Sequence, residues 1–218
     1  DFKAADEFLR RSLVIRRKIF GDHHIHTSSS LNGLAHLLHD LEEHHDAERM
    51  AEQALQIRKA HLRHDHPLIA HSLHVLGKIN MRKGDLDVAH DYHHQALNMR
   101  RDFHGDNHPH IAHSHHGLGE LLKTLGQHDD AHVHHEKALE IRHDTLGSDH
   151  HHTADSYHGL GVIKSLLGAH HEAEDLHHKA LDIRINKFGE DHHHTSHSFH
   201  ELGIIKHQIG RASCRERV

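Results

Sequence analysis

The sequence predicts an all-α chain, a solenoid built from antiparallel helix hairpins. Three observations carry this. Matching residues recur every 42 positions without a gap, apolar residues within each period follow a helical spacing, and glycines stand where that spacing stops. Arg16, Arg58, Arg100, Arg142 and Arg184 form one column; Leu13, Leu55, Leu97, Leu139 and Leu181 form another. A single hairpin of this composition cannot bury its apolar stripe, so the hairpins must stack.

The elements follow in chain order. The opening segment carries Ala5, Leu13 and Arg16, which later periods place on the second helix of the unit, B. The first A helix is marked by Leu31 and the pair Leu34-Ala35, whose counterparts are Leu76-Gly77, Leu118-Gly119, Leu160-Gly161 and Leu202-Gly203. The third period shows one whole unit. Ile111, Leu118, Leu121, Leu122 and Leu125 give helix A over about 109–125, stopped by Gly126. Ala131, Ala138, Leu139, Ile141 and Leu146 give helix B over about 128–146, ended by Gly147 and a short Asp-His loop. Both prolines, Pro67 and Pro109, fall at the start of A, where a missing N–H costs least. The chain thus holds an opening B helix, four A–B passages and a final A helix, with no domain boundary or linker across 1–210. A glycine inside A costs about 1 kcal/mol against alanine. Its recurrence predicts a neighbour too close for a side chain, with the B-helix alanines Ala47, Ala89, Ala131 and Ala173 as the counterpart.

Composition narrows the function classes. Lys+Arg number 26 and Asp+Glu 32, a formal charge of −6 with histidine neutral, and there are 40 histidines in 218 residues. The sign of the charge therefore depends on histidine: near pH 5.5 it reaches about +30. This balance points to neither a nucleic-acid nor a membrane partner, and no apolar run approaches the ~18 residues of a membrane span. One cysteine excludes a disulfide framework and cysteine-based zinc modules. Histidines buried in helices resist protonation, so acid is expected to unfold the array. The chain opens at Asp1 without a signal peptide and reads as part of a larger parent. Periodicity fails from Arg211, where Ala212 and Arg215 stand in place of the expected His or Tyr and Ala. Residues Ile209 to Val218 match the translation of a common sequencing-library adapter. The tail 211–218, Cys214 included, is therefore expected to be an artefact.

The spacing Leu118-Gly119, then Ala131 twelve residues on and Ala138 seven further, resembles the tetratricopeptide repeat. The 42-residue period, its Ala-Leu-x-Ile-Arg run and the loop Gly105-Asp106-Asn107-His108-Pro109 resemble the longer repeat of kinesin light chains. The resemblance covers residues 2–210. It implies a right-handed superhelix whose concave groove, lined by the A helices, binds peptide segments of partner proteins, often acidic ones. It also implies a non-catalytic scaffold in the cytoplasm with no cofactor. Several positions usually aromatic in the family are histidine here, His44, His128, His170, His135 and His177; His115 stands where other copies have Leu31, Leu73, Tyr157 and Phe199, and His151 and His193 replace the loop proline. A softer solenoid is expected.

The family's ligand-facing positions are the second, fifth, ninth and twelfth residues of A. The second is Ser29, His71, His113, Asp155 and His197; the fifth is Asn32, His74, His116, His158 and His200. Lys78, Glu120, Lys123, Ser165 and His207 complete the set. Second and fifth are three apart and share a helix face, so stacking predicts a histidine-rich ladder whose partial positive charge suits an acidic segment. The candidate groove residues are thus Asn32, His71, His74, Lys78, His113, His116, Lys123, Asp155, His158, His197 and His200.

Two other chemistries compete with this one. Gly-rich phosphate loops, H-E-x-x-H and G-x-S-x-G are absent, and the serines 30, 72, 114, 156 and 198 with their histidine neighbours form a column. Catalysis needs one asymmetric constellation, so the column reads as scaffold. Metal binding is the rival: pairs such as His71/His74, His113/His116, His197/His200, His90/His94 and His128/His132 could each offer two imidazoles to Zn²⁺ or Ni²⁺, and His113, His116 and Asp155 form the set that includes a carboxylate. Spacing supplies pairs where a site needs three or four ligands. The loop histidines His24, His66, His108, His150 and His192 read as structural, capping or packing at the turns.

Overall fold

The computed structural model describes residues 2–215, with side chains to Arg211. Much of the expected artefact tail, including the side chain of Cys214, lies outside the described residues. Every regular element is a helix among those described. Two compact units divide the chain, Asp1–Asp106 and Asn107–Val218.

The first unit holds α1 (Phe2–Phe20), α2 (Ile25–Asp40), α3 (His44–His61), α4 (Pro67–Lys83) and α5 (Leu86–His104). Each helix packs on the next, and α2 also touches α4, so A helices line one side of the stack and B helices the other. The core is a seam of leucine, isoleucine and alanine: Leu31, Leu34, Ala54 and Ile57 between α2 and α3, then Leu73, Leu76, Ile79 and Ala96 further along. The second unit repeats the plan with α6 (Pro109–Thr124), α7 (His128–Leu146), α8 (His151–Leu166), α9 (His170–Phe188) and α10 (His193–Arg215). Leu122, Ala131 and Ile163 form part of its core. No helix among the described residues is long and apolar enough to cross a membrane.

The loop histidines cap helices. The Nδ1 atoms of His24, His66, His108, His150 and His192 accept from the backbone N–H two residues on, at 3.1–3.2 Å. Four of them hold the extended backbone of an N-cap. An imidazole thus does the work usual for Ser or Asp, and only while Nδ1 carries a lone pair. Pro67 and Pro109 open α4 and α6, as their column predicts. After the A helices the chain turns through the left-handed region at Gly84, Gly126 and Gly168; at the matching place after α2 stands Glu42, with φ 63°.

The A-helix glycines do meet something close, but it is not the B-helix alanine. A Cβ on Gly77 would lie 2.8 Å from the His93 ring, one on Gly119 2.7 Å from His135, and one on Gly161 2.6 Å from His177. Each imidazole is fully buried midway along B, sixteen residues after its glycine. His135 is also wedged against α8, where a Cβ on Gly159 would come within 2.7 Å of it. In the first hairpin the same two places are held by Ala35 and Ala51, both buried in one cluster. Around Gly203 a Cβ would meet nothing within 4 Å.

Candidate functional site

The A-helix face is built by stacking. In the first unit the fifth-position residues Asn32 and His74 are buried, the second-position His71 is half-buried, and Lys78 stands one turn on, half-buried. Asn32 accepts a hydrogen bond from the Ser72 hydroxyl across α2 and α4, at 3.3 Å. The His36 and His71 rings approach to 5.6 Å across the same pair of helices. In the second unit His116 and His158 are half-buried, whereas His113, His197 and His200 are exposed. The His158 and His197 rings lie 4.9 Å apart, edge to face, joining α8 to α10. Lys123 is paired with Glu120 at 2.5 Å.

Behind each fifth-position ring stands the imidazole of the glycine notch. His74 meets His93, His116 meets His135 and His158 meets His177, all edge to face at 5.0–5.2 Å. Burial pushes His93, His135 and His177 down to about 4. Burial also pushes His158 down to about 3, helped by His177 and Arg184. His116 is lowered well below its ordinary value by burial and then by Arg142. These rings are neutral at pH 7, so the positive charge expected of the ladder does not come from His116 or His158. The Nδ1 atoms of His116 and His158 are buried without a hydrogen-bond partner.

The cations of the face belong instead to a column that the sequence marks only as periodic. Arg58 Nη1 donates to the Ser72 hydroxyl at 2.7 Å and to the Leu68 carbonyl at 2.8 Å. Arg142 does the same to Ser156 at 2.7 Å and His152 at 2.8 Å, and Arg184 to Ser198 at 2.7 Å. Arg16 reaches Ser30 at 2.9 Å. Ser30, Ser72, Ser156 and Ser198 are therefore bound to their arginines, which clamps α1, α3, α7 and α9 each to the following A helix. Burial lowers Arg58 and Arg142 to about 10. Arg184 differs in carrying a carboxylate: its Nη2 donates to Asp155 Oδ1 at 3.0 Å. Burial opposes ionisation of Asp155, but hydrogen bonds from His152 and Arg184 and the Arg184 charge hold it well below the usual carboxylate range. As a ligand set, His113, His116 and Asp155 do not gather as three donor atoms within 4.8 Å of one another.

A model of the tetratricopeptide repeat matches residues 1–60, 68–144, 133–184 and 153–213. No curated protein matches the sequence. Among solved structures, BtubC (BKLC) from P. vanneervenii is similar at 23% identity with a TM-score of 0.79, over 96% of this chain and 84% of that one. A putative kinesin light chain from Podosopora anserina with nearly identical repeats is similar at 25% identity and a TM-score of 0.66, over 85% and 88% of the two chains. Aspartyl phosphate phosphatase F from Bacillus subtilis shares the fold at 14% identity and a TM-score of 0.73, over 94% of this chain and 52% of that one.

Proposed function

The chain belongs to the tetratricopeptide repeat family, and we propose from that premise that it is a non-catalytic scaffold that binds peptide segments of partner proteins along its A helices. The observation that carries this reading is the stacking of the ladder: Asn32 linked to α4 through Ser72, and His158 set against His197 of α10. Side chains of successive A helices thus form continuous surfaces within each unit, the kind repeat proteins use for extended ligands. The exposed His113, His197 and His200 and the half-buried Lys78 and Lys123 are the contact residues, with Asn32, His71, His74, His116, Asp155 and His158 as the floor. The hydroxyls of Ser72, Ser156 and Ser198 each accept a hydrogen bond from arginine, which supports a structural role for these serines. No nucleic acid, membrane or cofactor enters this reading, and the cytoplasm is the compartment it suits.

Selection from a displayed random-peptide library tests it. Selected peptides should lose at least about 10-fold in affinity, or ~1.4 kcal/mol, when His197→Glu and His200→Glu are combined. Glu140→Lys and Asp175→Lys, both exposed on B helices, should leave affinity unchanged. The reverse pattern would move the binding surface to the B side.

A further inference from the structure

On the B side of the second unit, away from the A-helix face, we propose a docking groove for a helix of a partner protein whose apolar stripe is flanked by lysine or arginine. The groove lies between α7 and α9 over α8, with a volume of about 810 Å³. Its floor is apolar: Leu160 is buried, and Leu139, Tyr157 and Leu176 are half-buried. Its banks are acidic. Glu136, Glu140 and Asp144 follow one another a turn apart along α7, and Glu172 and Asp175 stand on α9, all of them exposed. The lysines of the groove are already engaged: Lys164 pairs with Glu172 at 2.8 Å, and the Lys179 ammonium lies 5.6 Å from the centre of the Tyr157 ring. Carboxylates thus outnumber ammoniums five to two, and among the described residues neither Glu140 nor Asp175 is in an ion pair. The repeat does not dictate this charge. At 42-residue steps from Glu140 stand Val14, Gln56, Asn98 and Asp182. The corresponding groove of the first unit, between α1 and α3, is lined by one carboxylate, Asp22, and Arg17 holds it at 2.9 Å.

Floor and banks together define the occupant. The leucines gain from covering apolar surface, and the unpaired carboxylates gain from cations set beside them in a partly desolvated cleft. The Tyr157 ring already seats one ammonium, so a lysine stem crossing the floor meets a compatible surface. A helix serves both banks at once, because cations on either side of an apolar stripe project towards α7 and α9 while the stripe faces α8. An extended segment sends alternate side chains to opposite faces and cannot do this. From His132 to Asp144 the groove follows α7 for about 18 Å, so about three turns of helix fill it.

Fluorescence anisotropy at low salt tests the proposal with three labelled peptides: a leucine–lysine helix of about three turns whose leucines form one stripe, its scrambled isomer, and oligo-lysine of the same length. The helix should bind at least about 10-fold more tightly than either of the others. Glu140→Gln combined with Asp175→Asn should weaken it about 10-fold or more. Glu190→Gln combined with Asp191→Asn makes the same charge change at exposed positions before α10 and should leave its affinity unaltered. Equal binding of all three peptides is a general attraction of polycations to a chain of charge −6 and overturns the proposal. So does equal weakening by both variant pairs, or by neither, and so does binding of none of the peptides. Analytical ultracentrifugation covers the remaining occupant: a dimer that the Glu140/Asp175 variant turns into a monomer assigns the groove to a second copy and overturns the proposal. The A-helix reading stands or falls separately, since its ligands respond to His197→Glu with His200→Glu and not to charge changes at Glu140 and Asp175.

Discussion

At the scale of single residues the fold turns on a volume exchange. A glycine in an A helix normally weakens it, and alanine in its place normally helps by about 1 kcal/mol. Here the missing Cβ is filled by the neighbouring imidazole, so Gly161→Ala should destabilise by about 1–3 kcal/mol, the usual cost of overpacking a full core. Denaturant titration measures this. His177→Ala should also destabilise, by opening a cavity. The double variant recreates the Ala35/Ala51 pairing of the first hairpin, so its loss should be smaller than the sum of the two single losses. Strict additivity would show that the glycine and the imidazole do not share space. The recurrence of glycine signalled a close approach, but a period locates a residue along its own helix and says nothing of which side chain stands opposite. That is why alanine was the expected counterpart and histidine is the observed one.

At the scale of elements, two features decide how well helices begin, end and dock. The turn after α2 forces Glu42 into the left-handed region that the later turns give to glycine. A side chain there costs roughly 1–2 kcal/mol, part of which glycine returns as backbone entropy. Glu42→Gly should therefore stabilise by about 0.5–1 kcal/mol, read as a melting temperature higher by a few degrees. Docking of B onto the next A depends on the Arg–Ser clamp. Ser156→Ala removes one of the two partners of Arg142 Nη1 and should cost about 1.5–3 kcal/mol, the range for hydrogen bonds to charged groups. Helix existence, order and period were legible in the sequence because apolar spacing and stop signals repeat. So were the proline starts and the structural role of the loop histidines. The Arg and Ser columns were equally visible as columns, yet their pairing at a separation of fourteen residues emerges only once the two helices cross.

At the scale of the whole chain, histidine sets the response to pH. His93, His135 and His177 sit near 4 in the folded state against about 6.5 when unfolded. The unfolded chain therefore binds more protons between these values, so stability is full above about pH 6.5 and is lost as pH falls towards 4. Each such residue contributes a slope of up to about 1.4 kcal/mol per pH unit in that window. Thermal melts at pH 7.5, 6.5 and 5.5 should show little change across the first step and a clear fall across the second. Equal melting temperatures at all three would contradict the burial of neutral rings. Replacing His135 and His177 by phenylalanine, which cannot titrate, should flatten the slope where the larger ring is accommodated. Composition alone indicated acid sensitivity; which histidines supply it follows from burial, and burial depends on the packing of two helices. The same dependence explains why the binding face was legible as a set of positions while the charge of its imidazoles was not.

The glycine notch has one more consequence, for how such an array can diverge. Because one helix supplies the space and the next the ring that fills it, neither can drift alone without loss. Substitutions there should be inherited as couples, small with large or medium with medium, at sites sixteen residues apart. The chain already contains both solutions, Ala35 with Ala51 and Gly77 with His93. Neighbouring repeats of a single molecule thus show two outcomes of the same packing constraint.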